Sequence, residues 1–219
     1  MQYIKTPNSA MPEASTSKTE PRRTQAERKQ EAEKRIIESA ISIIAEKGLN
    51  GLTLAAAGEG AGYSRGIAGH HFGKKDELLV ATAQYITNQF SDELIKKMHH
   101  KPGLAMLQQV ITEYFIRANK GARGIKALHI LLTEGVCNPV LRAPLAEINA
   151  KGIKGIAFHI RSGIDKGEIR SDIDEKAQAL IIISSLRGIM AQWLVDNQRV
   201  SLAVVQKEFL ASVMRSLVP

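Results

Sequence analysis

Between Leu52 and Leu78 the chain has room for two short helices hinged at Gly62, and for little else. Thr53 offers a hydroxyl to cap the first of them. Gly62 supplies the positive φ that a tight inter-helix turn needs. Ser64 caps the second, which is expected to run to about His71. Gly73-Lys74-Lys75-Asp76-Glu77 then opens a longer helix with its acids in the first turn, where the helix dipole favours them. A hinge of this kind suits a helix-turn-helix, whose second helix presents its N-terminal side chains to base edges in the major groove. Ser64, Arg65, Gly66 and Ile67 stand at that end. Arg65 is able to donate two hydrogen bonds to guanine, and Gly66 permits close backbone approach. Lys74 and Lys75 are placed to reach phosphate. The spacing alone is shared with many helix pairs that bind nothing.

The remainder reads as further helices, so the expected fold class is all-α. Ile36, Ile37, Ala40, Ile41, Ile44 and Ala45 form one apolar stripe of a helix that begins near Gln25 and stops at Gly48. Leu78, Thr82, Tyr85, Ile86, Gln89 and Phe90 line the fourth helix. Pro102-Gly103, Gly121, Asn138-Pro139 and Gly167 punctuate the rest. A stretch from Leu141 to Ile164, a helix between Ile173 and Asp196, and another from Ser201 to Leu217 follow. No alternating strand pattern and no internal repeat stand out. Residues 1–27, with Pro7, Pro12 and Pro21 and a basic end at Arg22, Arg23 and Arg28, read as a disordered tail. The sharper alternative for that tail is an arm on the DNA backbone or minor groove.

Charge adds little to the nucleic-acid reading. The net charge is +8, but residues 1–79 carry 12 Lys and Arg against 10 Asp and Glu, so the excess lies in the later part. The lone Cys137 excludes an intramolecular disulfide, and the N-terminus has no apolar stretch of the signal-peptide kind. The longest uncharged apolar run, Ala177–Leu186, is half of what a membrane span needs. A cytoplasmic location without membrane contact is expected.

The segment from Arg35 to Leu78 resembles the N-terminal domain of the tetracycline-repressor family. The resemblance rests on Ala45-Glu46-Lys47-Gly48, Thr53, Ala61-Gly62, Ser64-Arg65-Gly66, His71-Phe72 and Lys75-Asp76-Glu77-Leu78, in that order. It implies a DNA-binding domain over residues 30–90 with its motif at 53–72, and a helical effector-binding and dimerisation domain over 91–219. It also implies a repressor released from its operator by a small-molecule effector, acting as a homodimer paired through the last two helices. The chain departs from the family pattern at Ala57, Gly58 and Gly69, where a larger apolar residue, an alanine and an aromatic are usual. Gly58 and Gly60 each cost the second helix about 1 kcal/mol against alanine. His70 and His71 are expected to make up for the missing aromatic.

The expected DNA-contacting set is therefore Thr53, Ser64, Arg65, Gly66, Ile67, His70, His71, Lys74 and Lys75. Tyr114, His129 and Phe158 are candidates for an effector pocket between the helices of the larger domain, although core packing is the plainer account of its aromatics. Excess positive charge there suggests an anionic ligand. No cofactor, metal or catalytic role is expected. His99-His100 lacks further ligands at metal spacing, and Cys137 lacks an activating charge in sequence. Two other readings compete: a DNA-binding architectural or assembly factor without an effector, and a helical enzyme.

Overall fold

The computed structural model describes residues 24–97 and 99–219, so the expected tail lies outside it up to residue 23. Thr24 already belongs to the first helix. Its hydroxyl accepts from the Glu27 amide at 3.2 Å while its own amide donates to the Glu27 carboxylate at 2.7 Å, a reciprocal cap.

Every regular element among the described residues is a helix. They are α1 (Gln25–Gly51), α2 (Leu54–Gly60), α3 (Ile67–Phe72), α4 (Lys75–Lys96), α5 (Leu104–Lys120), α6 (Ala122–Cys137), α7 (Pro139–Asp165), α8 (Glu175–Val195) and α9 (Leu202–Leu217). Glycine punctuation marks their ends largely as expected, with one instructive exception. Gly48 does not end α1. It adopts φ 68° and ψ −173° inside it, kinking the helix before its last residues.

Two apolar cores divide the molecule. The first joins α1–α4 to α6 and the start of α7: Ile36, Ile44, Leu52, Leu78, Leu131 and Leu141 are fully enclosed in it. The second gathers α5, the end of α7, α8 and α9 around Phe115, Leu107, Ile111 and Ile160. Each such side chain contributes about 1.5–3 kcal/mol by leaving water. Because α6 faces both cores, the short helices at the N-terminal end are seated on the larger unit.

α8 is long and apolar enough, by length and composition, to cross a bilayer. Its Ala179, Ile182, Ile183, Leu186 and Met190 face the second core, whereas Leu180 and Ile181 remain 48% and 57% exposed.

Candidate nucleic-acid interface

The hinge at Gly62 is built by backbone hydrogen bonds. Gly62 has φ +80°, its amide donates to the Glu59 carbonyl at 2.9 Å, and the Tyr63 amide donates to the Gly58 carbonyl at 3.0 Å. Thr53 caps α2 as expected, accepting from the Ala56 amide at 3.0 Å. Ser64 does not cap α3. The helix begins two residues later than expected, with Gly66 at the cap position and no side-chain cap, because the Ser64 carbonyl instead takes the Ile67 amide at 3.2 Å.

Gly58 proves to be more than a weak point in α2. A Cβ there would lie 2.8 Å from the Ser64 carbonyl oxygen and 3.2 Å from Ile67 Cγ2. The missing side chain is what lets α2 and the start of α3 approach this closely. Gly60 is different: its Cβ would meet only the Ser39 hydroxyl, which is free to rotate away.

The nine expected contact residues separate into two groups. Thr53, Ser64, Arg65, Gly66, His70 and Lys74 are exposed. Ile67, His71 and Lys75 are turned to other work. Ile67 packs on the first core. His71 keeps only 7% of its side chain exposed and sets Nδ1 3.3 Å from the Glu33 carboxylate of α1. Ala68 and Phe72 lie three residues before it and one after on the same inner face, and that stripe carries His71 inward. Lys75 donates from Nζ to the Leu49 carbonyl at 2.7 Å, holding the kinked end of α1.

Arg65 is exposed and ion-paired with Glu59 across the hinge, Nε to Oε1 at 2.5 Å. Glu59 carries no mark in the sequence, since a pair six residues apart across a turn has no periodic signature. The same holds for Glu33, whose partner is far along the chain. Nothing stands within 4 Å of a Cβ built at Gly66 or Gly69, so this face of α3 is bare.

Of the three residues expected at an effector pocket, His129 lines a cavity of about 630 Å³ between the end of α1, α6 and the end of α8. Both its ring nitrogens lie 2.9 Å from carbonyl oxygens, those of Ile125 and Arg187. Tyr114 packs edge-on against Phe90 at 5.8 Å, and Phe158 is 57% exposed on α7. Those two are not brought to that cavity: Tyr114 is partly buried on α5 against the second core, and Phe158 is turned away from the core by the register of its buried neighbours Ile156 and Ile160.

The chain is similar to known proteins. Residues 36–82 match the family model described as bacterial regulatory proteins, tetR family. The chain is 36% identical over 99 residues to the HTH-type transcriptional regulator CymR of Pseudomonas putida, covering 43% of this chain and 49% of that protein. It is 30% identical over 111 residues to the regulator BetI of Escherichia coli, covering 49% and 57%. The chain thus spans about half the length of the curated relatives it matches. Among solved structures, the transcriptional regulator FadR of Bacillus subtilis, in complex with stearoyl-CoA, superposes with TM-score 0.75 at 20% identity, over 84% of this chain and 98% of that one.

Proposed function

We propose that this chain, whose residues 36–82 match the family model of bacterial regulatory proteins, tetR family, is a DNA-binding transcription regulator, a repressor that leaves its operator when a small molecule binds. Residues 30–90 are the reading unit in this proposal, and residues 91–219 the effector and dimerisation unit. The observation that carries it is the hinged pair α2–α3, with Arg65, His70 and Lys74 exposed around an otherwise bare recognition helix. Ser64, Arg65, Gly66 and His70 meet base edges in the major groove, while Thr53 and Lys74 hold phosphates. Lys75 acts one step back, fixing where α4 leaves α1.

A symmetric dimer reads a palindrome, and the exposed Leu180, Ile181 and Val204 on α8 and α9 supply an apolar face for it. An effector need only prefer the spacing of the two heads that does not fit DNA; a preference of about 1–3 kcal/mol is typical of such coupling. FadR, bound to stearoyl-CoA, supports the effector half of the proposal by its likeness of fold. The setting is the cytoplasm, and the role is regulatory rather than catalytic. Titration of the full-length protein with the DNA adjoining its own gene, at several salt concentrations, tests the reading. Retention no tighter than on random DNA of the same length would refute it.

A further inference from the structure

The cavity at the end of α1 lies where the reading unit rests on the larger one. Its volume falls within the usual range for small-molecule sites. Its walls are apolar: Leu49 from α1, Ile130 from α6, and Ala191, Leu194 and Val195 from α8. Val195 stands 85% exposed at the lip. Gly48, Asn50, His129, Thr133, Glu134 and Cys137 also line it, as do Lys47 and Lys126, both exposed; neither lysine has a carboxylate within ion-pair distance among the described residues.

By helix register, the backbones of Lys47 and Lys126 stand toward one end of the groove. Arg123 reaches the Ser42 hydroxyl at 3.4 Å, which sets the start of α6 beside α1. Lys47 and Lys126 each follow about one turn beyond that contact. Glu134, the lining carboxylate, lies two turns past Lys126 on α6, about 12 Å away by helix rise. His129 has each ring nitrogen 2.9 Å from a backbone carbonyl oxygen, Nδ1 from that of Ile125 and Nε2 from that of Arg187. Lys47, Lys126 and Glu134 together carry a single net positive charge, with both lysines nearer than Glu134 to the Arg123–Ser42 end of the trough.

We propose that this groove binds a small amphipathic carboxylate, with its acid group between Lys47 and Lys126 and its apolar body along Ile130, Leu194 and Val195. A monoanion matches the single net charge. A neutral molecule would leave two ammonium groups beside apolar surface with no counter-charge, and a cation would be repelled. The assignment deepens the regulator reading, on which its regulatory consequence rests, by naming the class of effector and its seat. The route to DNA is short. Leu49, a wall of the groove just after the Gly48 kink, accepts the Lys75 hydrogen bond, and Lys75 opens α4 two residues after Gly73 closes α3. A ligand pressed on Leu49 bears directly on the joint that aims the recognition helix.

Octanoate and 3-phenylpropanoate, each compared with its own alcohol, are suitable probes for the full-length protein. Binding is measured by calorimetry. Each acid is expected to bind about tenfold or more tighter than its alcohol, and Lys47→Gln with Lys126→Gln to remove that advantage. Ile130→Trp is expected to block both acids. Equal binding of acid and alcohol, no binding of either acid, or unchanged acid binding in the double lysine variant would overturn the proposal. So would an Ile130→Trp protein that becomes monomeric yet still binds the acids, since the groove would then hold a second copy of the chain. The double lysine variant changes only exposed side chains, so it keeps the test valid if Ile130→Trp fails to fold. DNA retention is measured alongside. Acid binding that depends on the lysines, without DNA retention, would sink the regulator reading and leave the site standing; the reverse would sink the site alone.

Discussion

At the scale of single residues, Arg65 and Lys74 have separable signatures. Arg65→Ala is expected to cost about 1–3 kcal/mol and relax preference at one base pair per half-site, because a guanidinium reads base edges. Lys74→Ala is expected to weaken all sequences alike and flatten the salt dependence by about one unit for each phosphate left without its ammonium partner. Titrations against the operator and single-base variants tell the two apart; equal weakening on every sequence by Arg65→Ala would reduce it to a backbone role. The Glu59 pair is exposed and contributes little to stability, so exchanging it for a base costs little. A second residue-scale prediction concerns alkali. Burial, then the Glu38 carboxylate that accepts its hydroxyl at 2.8 Å, pushes Tyr85 up to about 12. Burial pushes Tyr114 up to about 12 against the opposing pull of Arg187 and Arg117. The unfolded phenol titrates near 10. The fold thus holds these protons more tightly than the unfolded chain does. Their contribution is whole below pH of about 10 and is lost as pH climbs through about 12. Phenolate absorbance should show two late titrations, one of which disappears in Tyr114→Phe.

At the scale of elements, the α2–α3 hinge turns a pair of similar substitutions into opposite outcomes. Gly58→Ala drives a Cβ against the Ser64 carbonyl, which is backbone and cannot swing aside, so a loss of about 1–3 kcal/mol is expected. Gly60→Ala meets only a hydroxyl rotor and is expected to be neutral or to stabilise by up to about 1 kcal/mol. Thermal melts of the two variants decide this; equal effects would mean that the close approach is not what Gly58 is for. In the sequence both glycines look alike, since helix propensity does not see what a neighbouring stretch of backbone will do. Helix number and order, the Thr53 cap and the Gly62 turn were legible because each depends on local chemistry. The inward turn of His71, the Lys75 bond to Leu49 and the groove beside Lys126 were not, because each needs a partner more than 25 residues away.

At the scale of the whole molecule, α8 and α9 bring most of their apolar residues to their own core, and Ile182, Ile183, Leu186, Val213 and Leu217 are spent there. What remains for a partner is narrower than the composition of those helices suggests: Leu180, Ile181 and, at its end, Val195 on α8, and Val204 on α9. Leu180→Glu with Ile181→Glu is expected to yield monomers by light scattering while leaving helicity intact, because exposed sites accept charge without disturbing the core. A dimer that survives this double change would locate the interface elsewhere.

The bare face of α3 has a consequence for how such a protein finds its address in a genome. Gly66 and Gly69 offer no side chains, so in the proposed complex each head would read chiefly through Arg65 and His70. Two good base contacts are worth about 2–6 kcal/mol of discrimination. Chromosomes present about 10⁶–10⁹ competing sites, and regulators that cope with them discriminate by about 4–10 kcal/mol. One head sits at or below that threshold; two heads on a palindrome double the energy and square the ratio. An unpaired protomer would be soaked up by the bulk of the chromosome. On the proposed reading, selectivity resides in pairing, and promoter occupancy should rise with the square of protomer concentration when the dimer is scarce.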